Sequence, residues 1–483
     1  MSTQIPETTG PNQLRKNSLG ALGVTFLVVS AAAPLTAVAG GVPLSMMLGN
    51  GAGIPGTFLI VTLILLLFSV GYVAMARHIR NAGAFYAYTA QGLGGILGGG
   101  AAMVAILAYN AMQIGVFGMF GAATSGLFAG IGLELPWWVW TYIGIGVVAL
   151  FGYRRVDLSA KILTVLVLLE YLVVLVIDLA ILFKGGDAGL SSAPFTPTAM
   201  MSGSPSIGLL FCFAAFIGFE ATTIFSEEAR DPHLTVPRAT YSSVLIIGLF
   251  YMFTSWLMVN GEGVDKLVPT LQGLKDPTTF LFALAERYVG HWITVVMSVL
   301  FVSSLFAGVL AFHNGVARYM YVAGREGILP SSLGVTHPVF HSPHVASLIQ
   351  TVIAAVVVGI FAGFGLDPVL AQFSWLTNVA TLAIILLMAS TAFAIVVFFS
   401  RNPSLEKNPI TTKVLPVITG VILLALVYYI ATHFGDLAGA TGALAILLPG
   451  LVVIAAVIGF LAAARLKSAD PAAFARLGAT QVD

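Results

Sequence analysis

Long apolar runs recur along the whole chain. A helix that crosses the hydrocarbon core of a bilayer needs about 20 mostly apolar residues, and twelve runs of roughly that kind are present. In chain order they are residues 19–48, 53–76, 97–127, 136–151, 158–183, 206–225, 241–259, 292–322, 345–364, 369–399, 414–432 and 443–463. Only 8% of the residues are charged, against about 25% in a typical soluble domain. The pattern predicts an all-α integral membrane protein with twelve spans.

The basic residues give these spans an orientation. Cytoplasmic loops of membrane proteins are enriched in lysine and arginine. With the N-terminus inside, twelve crossings place all but four of the 21 lysine and arginine residues on the inner side; the exceptions are Lys184, Lys266, Lys275 and Arg287. A wrong number of crossings would scramble this split after the first misplaced loop. We therefore expect both termini in the cytoplasm of a protein of the cell membrane.

The ends and the loops add little beyond the spans. Residues 1–17 are polar and lack the apolar core and cleavage site of a signal peptide, so the first run is expected to be a retained span. Residues 467–483 are expected to form a short, disordered cytoplasmic tail. The longest external loop is predicted at 260–279, followed by an interfacial helix at 280–290.

Several function classes find no support in the residue pattern. A single cysteine, Cys212, excludes an intrachain disulfide. The sequence contains no HExxH, GxSxG or P-loop motif, which argues against a membrane hydrolase and an ATP-driven pump. The net charge of +1 gives no attraction to nucleic acid. We expect no cofactor and no resident metal; His337, His341 and His344 are more simply explained as solvated loop residues.

Two spans contain helix breakers at mid-membrane depth. In the first span, Pro34 lacks an N–H group and clashes with the preceding turn. In the sixth span, Gly218 lies beside Glu220. Irregular backbone inside a bilayer must line protein or a water-filled cavity, and carriers built from inverted repeats place their substrate site at paired breaks. A proline kink and a packing glycine are the alternative interpretation; the pairing favours a site.

The two breaks predict different contacts with a substrate. Amide groups at a half-helix N-terminus suit a carboxylate, and exposed carbonyl groups suit an ammonium group. The predicted substrate-binding residues are Ser30, Ala31, Ala32, Ala33, Leu35 and Thr36 in the first span, and Phe213, Phe216, Ile217, Gly218 and Phe219 in the sixth. Phe216 and Phe219 are predicted to form an aromatic lid, with ordinary packing as the alternative.

Acidic side chains inside spans are candidates for function, because insertion costs about 2.5–3.5 kcal/mol for a charged residue. Glu170 lies in the middle of the fifth span, where it could carry a proton or bind a substrate ammonium group. Glu220 follows the break in the sixth span. The alternative for both is a neutral acid hydrogen-bonded to a neighbouring helix. Asp178 lies closer to the outer face, and snorkelling to the interface explains it more simply.

Polar side chains also interrupt the third and tenth spans. Asn110 and Gln113 are three residues apart and therefore share a helix face. They are candidates for substrate contact, with interhelical hydrogen bonding as the alternative. Ser374, Thr377 and Asn378 form a polar face on the tenth span that is consistent with a lined pathway.

Three stretches together resemble the amino acid–polyamine–organocation permeases. The stretch 216–240 carries Phe216, Gly218, Phe219 and Glu220, then an acidic pair and a Pro-Arg-Ala sequence; the last two sets are Glu227, Glu228, Pro237, Arg238 and Ala239. Residues 81–94 resemble the family's loop into helix three, and residues 317–334 resemble its loop after helix eight. The three matches occur in the expected order.

This resemblance implies a fold and an activity. The implied fold is the LeuT type: a ten-helix core at 18–400, built from inverted repeats at about 18–184 and 204–400, with helices 1 and 6 discontinuous, and two peripheral helices at 401–466. The implied activity is secondary active transport of amino acids or related amines by alternating access, driven by protons, sodium or exchange. Alternatives are a polyamine or ethanolamine importer and a non-transporting amino acid sensor, although short tails argue against a sensor.

The resemblance also implies roles for particular residues. Asn110 matches a helix-three asparagine that contacts substrate in the arginine-exchanger branch. Glu170 falls where some proton-coupled members carry a lysine. Ser303 and Ser304 in helix eight match hydroxyl groups that ligate sodium in some members and face the helix-five ionisable group in others. With Glu170 and Glu220 they form the predicted ion-coupling set. The resemblance leaves the coupling ion and the oligomeric state open.

Overall fold

Helices account for almost all of the chain that the structure, a computed structural model, describes: residues 20–79, 81, 83–154, 160–224, 229–406, 408–437 and 442–479. The predicted N-terminal tail 1–17 and the acidic pair Glu227 and Glu228 lie outside these residues. The first half contains α1 Ala21–Ala31, α2 Val42–Leu48, α3 Ile54–Ala76, α4 Phe85–Leu93, α5 Gly95–Ala129, α6 Trp137–Arg154 and α7 Ala160–Lys184. The middle contains α8 Pro197–Met200, α9 Pro205–Ala214, α10 Ala221–Ile224, α11 Pro232–Glu262, α12 Leu267–Gly273, α13 Phe280–Tyr288 and α14 His291–Arg325. The remainder contains α15 His344–Gly363, α16 Ser374–Arg401, α17 Leu415–Thr432, α18 Phe434–Leu437, α19 Leu444–Ala469 and α20 Pro471–Ala475.

Nine helices within the described part of the chain are long and apolar enough to cross a membrane. They coincide with nine of the twelve predicted runs. The runs 19–48 and 206–225 are divided into shorter helices, and the run 136–151 contains α6, which has 18 residues. The total of twelve spans stays a prediction, as do the domain boundaries derived from it.

The order of helix lengths repeats between the two halves of the chain. The nine-residue helix α4 leads directly into α5, which has 35 residues. The nine-residue helix α13 likewise leads into α14, which also has 35 residues. The two long helices pack against each other, and α5 also packs against α16 and α19. This repetition agrees with a core of two related halves.

Small residues bring α19 close to α5. A Cβ atom built on Gly459 would lie 2.2 Å from the carbonyl oxygen of Gly99, and one built on Gly99 would lie 2.5 Å from the Cβ of Ala463. Lipid provides no hydrophobic drive to bring helices together, so close backbone packing of small residues is a major source of their association. The glycines therefore let a helix after the predicted core pack tightly on it.

Residues 467–479 of the predicted C-terminal tail pack against the rest of the protein. The prediction of a disordered tail is wrong for this part. Leu477 is 2% exposed, and its carbonyl accepts a hydrogen bond from Gln91 at 2.7 Å. The Gly478 amide donates to Oε2 of Glu326 at 2.8 Å. Because Glu326 lies more than 150 residues earlier, sequence patterns around the tail could not reveal this contact.

Two short helices cover the second half of the first span. The predicted loop 260–279 contains the end of α11 and all of α12, and the predicted interfacial helix is α13. Arg287 of α13 pairs with Glu262 at 2.9 Å. Lys266 donates to Asp187 at 2.6 Å, and this hydrogen bond holds the pKa of Asp187 below its ordinary value. Helix α12 contacts α2, so the segment 260–279 rests on the first span.

Candidate functional site

The first span breaks at Ala33. Helix α1 ends at Ala31, Ala33 has a φ of 44°, and a π-helix over Thr36–Gly41 then leads into α2. A left-handed backbone costs a non-glycine residue about 1–2 kcal/mol. The carbonyl of Ala32 accepts a hydrogen bond from the hydroxyl group of Tyr251 at 3.2 Å. This bond satisfies one of the backbone groups that the break leaves inside the membrane. The side chains of Ser30 and Ala31 lie outside the described set.

The sixth span breaks around Gly218. Helix α9 ends at Ala214 and α10 begins at Ala221, with Gly218 at a φ of 112° in the turn between them. Glycine suits this position because it has no Cβ atom. Glu220 is fully buried. Its side chain accepts hydrogen bonds from the Gly218 amide at 3.1 Å and from the Tyr109 hydroxyl group. Glu220 therefore connects the turn to α5.

A small cavity lies between the two breaks. The described residues that line it are Ala32, Ala33, Thr36, Ala37, Gly41, Met112, Val116, Phe211, Ala214, Ala215, Ile217, Gly308, Phe312, Phe373 and Thr377. None of these side chains carries a charge, and only the two threonines are polar. The cavity therefore provides a small, mainly apolar compartment beside two stretches of irregular backbone.

Four of the residues predicted to bind substrate line this cavity: Ala32, Ala33, Thr36 and Ile217. Phe213 and the two phenylalanines of the predicted lid, Phe216 and Phe219, line a separate, smaller pocket instead. Phe216 packs against Phe58, with ring centroids 6.4 Å apart, and Phe219 packs edge-on against Phe68 at 6.2 Å. Their role as a gate stays a prediction.

The cavity is also lined by three aromatic residues that the sequence patterns did not single out. They are Phe211 of α9, Phe312 of α14 and Phe373, at the start of α16. Phe312 lies four residues after Gly308, which also lines the cavity, so the two share a helix face. The spacing of the glycine and the aromatic residue was the only sequence pattern that could have indicated Phe312 as a cavity-lining residue. Such pairs are also common in ordinary helix packing, so the pattern is not specific.

Glu170 lies at the break in the first span and not at the cavity wall. Its Oε2 accepts hydrogen bonds from the Leu35 amide at 3.2 Å and from the Ser304 hydroxyl group at 2.7 Å. The Ser304 oxygen in turn accepts a bond from the Thr36 amide at 3.3 Å. Two of the amides predicted for a substrate carboxylate are therefore occupied by Glu170 and Ser304. Ser303 instead donates to the carbonyl of Leu300 in its own helix, at 2.8 Å.

A second carboxyl group on α7 is also buried. Asp178 is fully buried and accepts a hydrogen bond from Thr254 at 2.6 Å. Its other oxygen, Oδ1, has no hydrogen-bond partner within the described chain. The prediction that Asp178 snorkels to the interface is wrong, because α11 covers it and supplies a donor.

The polar residues of the third span have separate environments. Asn110 donates to the carbonyl of Ile106 in its own helix at 2.9 Å and does not line the cavity. Gln113 contacts His313 of α14, at 3.3 Å between the side-chain nitrogens. On the tenth span, Thr377 lines the cavity, whereas Ser374 and Asn378 are buried without lining it. Substrate contact by Asn110 and Gln113 stays a prediction.

Two of the three loop histidines, His337 and His344, form part of an aromatic cluster with Tyr153. The rings of His337 and His344 meet edge to face at 5.2 Å, and the ring of Tyr153 lies 5.4 Å from that of His337. The Nδ1 atom of His337 accepts a hydrogen bond from the Val339 amide at 3.1 Å. Over the described residues, no group of three or more metal-ligating side chains is found.

Comparison with known proteins identifies the family. The family model of the amino acid permeases matches residues 19–460. The chain belongs to the amino acid permease family. This permease is 25% identical over 454 residues to the branched-chain amino acid permease BcaP of Bacillus subtilis, covering 88% of this chain and 90% of that protein. It is also 25% identical over 306 residues to the low-affinity putrescine importer PlaP of Escherichia coli, covering 60% of this chain and 63% of the importer.

Solved structures show the fold. A manganese transporter of Eremococcus coleocola superposes with a TM-score of 0.56 at 16% sequence identity, covering 95% of this chain and 98% of that one. At this identity the likeness concerns the fold alone, which is of the LeuT type. The family and the fold together make this permease a multi-pass membrane transporter of amino acids or related amines and not an enzyme.

Proposed function

We propose that this permease transports neutral amino acids with small apolar side chains, coupled to protons through Glu170, with both termini in the cytoplasm. The observation that carries the substrate class is the cavity lining, in which no described side chain is charged. An apolar substrate side chain gains about 0.8 kcal/mol for each methylene group buried there. A charged side chain would lose its hydration without finding a partner, which costs far more.

The polar ends of an amino acid fit the two breaks. The second half of the first span begins beside the cavity at Thr36, and the dipole of this helix N-terminus favours a carboxylate, although the Leu35 and Thr36 amides already donate to Glu170 and Ser304. The turn after α9 begins at Ala215, which also lines the cavity, and carbonyl groups in irregular backbone favour an ammonium group. Both supports are backbone features, so they are compatible with different apolar side chains.

A diamine is a poorer fit to this cavity. Two ammonium groups in an apolar compartment would each need a carboxylate or several carbonyl groups. Glu170 bonds to Leu35 and Ser304, and Glu220 bonds to Gly218 and Tyr109. Neither acid lines the cavity. The lining therefore favours the amino acid interpretation over the polyamine alternative.

Glu170 supplies a physical link between proton binding and the first span. As a carboxylate it accepts two hydrogen bonds at the N-terminus of the second half of that span, where negative charge is favourable. Protonation removes the charge and weakens both bonds. Proton binding and release at Glu170 can therefore bias the arrangement of the backbone that lines the cavity.

Uptake into proteoliposomes tests this proposal directly. We expect alanine, valine, leucine and isoleucine to be transported and to compete with one another, whereas arginine and putrescine do not compete. A pH gradient should drive accumulation without sodium. Transport of arginine or putrescine in preference to the apolar amino acids would refute the substrate class, and a strict sodium requirement would refute proton coupling.

A matched glycine pair on α14 tests the cavity itself. In Gly308→Ala the added methyl group would point at the Cβ of Ala33 at 3.4 Å and narrow the cavity. In Gly315→Ala the methyl group would meet Tyr109 at 3.5 Å, away from the cavity. We expect Gly308→Ala to raise the KM for leucine more than that for alanine, and Gly315→Ala to leave the ratio unchanged. Equal effects of the two variants would place the substrate elsewhere.

The orientation can be tested separately. Its support is the concentration of lysine and arginine in the loops assigned to the inner side. Single cysteines introduced into the loop between α12 and α13 should react with a membrane-impermeant thiol reagent added to intact cells. Protection of this loop, together with reaction of the loop between α14 and α15, would invert the assignment.

A further inference from the structure

A chain of four buried polar side chains crosses three helices beside the cavity. Gln350 of α15 donates to the carbonyl oxygen of Gln113 on α5. The Gln113 amide nitrogen lies 3.3 Å from Nδ1 of His313 on α14. The Nε2 atom of His313 lies 2.8 Å from the hydroxyl oxygen of Ser347, again on α15. All four side chains are at most 1% exposed.

The pattern of donors assigns the state of the histidine. An amide nitrogen can only donate, so Nδ1 of His313 must accept from Gln113. A neutral imidazole with an accepting Nδ1 carries its hydrogen on Nε2, which then donates to Ser347. A charged imidazole would direct an N–H group at the Gln113 amide. With the Gln113 amide in this orientation, the neutral histidine that carries its hydrogen on Nε2 fits the chain.

A glycine of a fourth helix lies against the centre of this chain. A Cβ atom built on Gly152 of α6 would lie 2.5 Å from Nε2 of His313 and 2.7 Å from the hydroxyl oxygen of Ser347. Real Cβ atoms do not approach that closely, so α6 reaches this position only because residue 152 is a glycine. The hydrogen bonds and the close approach together connect α5, α6, α14 and α15.

Two of these helices, α5 and α14, also form parts of the cavity wall. Met112 directly precedes Gln113, and Phe312 directly precedes His313; both Met112 and Phe312 line the cavity. Val116, one turn after Gln113, lines it as well. A bond between Gln113 and His313 therefore limits how far the cavity-lining side chains of α5 and α14 can separate.

We propose that His313 is a positioning residue that sets the substrate-size preference of the transporter. It acts through Gln113 and Ser347, which hold α5 and α14 at one spacing across the cavity. The inference rests on the proposed function, since it assumes that the apolar cavity receives the substrate side chain. Loss of the bond leaves buried polar groups unpaired, which is unfavourable. The wall then relaxes and its discrimination by size weakens.

The test compares two substrates in the same vesicles, so that the amount of folded protein cancels. Valine and isoleucine differ by one methylene group, and an apolar site distinguishes such a pair by about 10- to 200-fold. We measure the ratio of their kcat/KM values in the wild type, His313→Phe and His313→Asn. His313→Phe should bring the ratio at least about fivefold closer to unity. His313→Asn keeps an acceptor for Gln113 and should give an intermediate ratio.

Gly152→Ala provides a second perturbation that leaves every polar group of the chain in place. Its methyl group would displace His313 and Ser347, whereas Gly146→Ala, on the exposed side of the same helix, meets no atom within 4 Å. We expect the first variant to shift the ratio and the second to leave it unchanged. A ratio unaltered in Gly152→Ala overturns the inference, even if His313→Phe fails to fold. Absence of valine and isoleucine transport by the wild type would instead refute the proposed function.

Discussion

Replacement of Glu170 by glutamine removes one charge with almost no change in shape. In the native protein the carboxylate accepts bonds from the Leu35 amide at 3.2 Å and from Ser304 at 2.7 Å. Hydrogen bonds to charged groups contribute about 1.5–3 kcal/mol, against about 0.5–1.5 kcal/mol for neutral pairs. The substitution therefore weakens the cap on the second half of the first span by about 2 kcal/mol in total. The glutamine carbonyl can still accept the same bonds, so the break itself should persist.

The transport consequence is larger than the structural one. For one proton moved with each substrate, a gradient of one pH unit contributes about 1.4 kcal/mol and drives about tenfold accumulation. A glutamine cannot carry the proton. With Glu170→Gln, the ratio of internal to external substrate concentration should therefore reach only about one. Counterflow exchange, which needs no gradient, should remain within about 30-fold of the wild-type rate, since the structural cost of about 2 kcal/mol corresponds to a factor of about 30.

The assay uses proteoliposomes with an imposed pH gradient and radiolabelled leucine. Asp178→Asn is the matched control, because Asp178 is on the same helix, is equally buried and bonds to a hydroxyl group. We expect this control to retain gradient-driven accumulation. Accumulation by Glu170→Gln at the wild-type ratio would remove Glu170 from the coupling mechanism. Loss of accumulation in both variants would show that the position of Glu170 is not special.

Three further substitutions test other parts of the structure. Tyr109→Phe removes a hydrogen-bond donor from the buried Glu220. If the cost of the unpaired group, about 1–3 kcal/mol, falls on the transport cycle, the transport rate should drop by about 5- to 150-fold. Additive effects of Tyr109→Phe and Glu220→Gln on that rate would contradict the coupling of the two residues. Gly459→Ala places a methyl group 2.2 Å from Gly99, whereas Gly450→Ala on the same helix meets nothing within 4 Å. Gly459→Ala should lower the melting temperature through an overpacking cost of about 1–3 kcal/mol, whereas Gly450→Ala should leave it unchanged. Equal melting temperatures of the two variants would contradict the close contact between α5 and α19. Ala33→Val places a β-branched residue at a φ of 44° and should reduce substrate binding, measured by thermal shift with leucine, whereas unchanged binding would show that the turn can relax.

Local chemistry explains why the breaks could be located in advance. Proline lacks the N–H group that a helix interior needs, so Pro34 marks an interruption whatever surrounds it. Gly218 next to a buried acid gives a similar local signal. The resemblance to permeases rests on stretches of contiguous sequence, and the family match confirms it. Apolar runs of membrane length likewise predict spans, because the bilayer imposes the same requirement on every segment.

The partners of the buried polar groups could not be anticipated in this way. Glu170 and Ser304 are separated by 134 residues, and Gln113 and His313 by 200. Nothing around His313 distinguishes it from an isolated histidine in an apolar helix. The burial of Asp178 could not be predicted for the same reason, because the residues that cover it belong to a different helix, α11. Such groups obtain their environment from other helices, and that environment depends on how the helices pack.

The sequence by itself therefore determined the membrane class, the positions of the two breaks and the family. These properties depend on local backbone chemistry and on the hydrophobicity of single segments. Only the tertiary structure decided that no described side chain lining the cavity is charged, that Glu170 caps the first span and that His313 connects the cavity walls. Those features require side chains from distant segments to meet, and in a bilayer each buried polar group must find such a partner because water is absent.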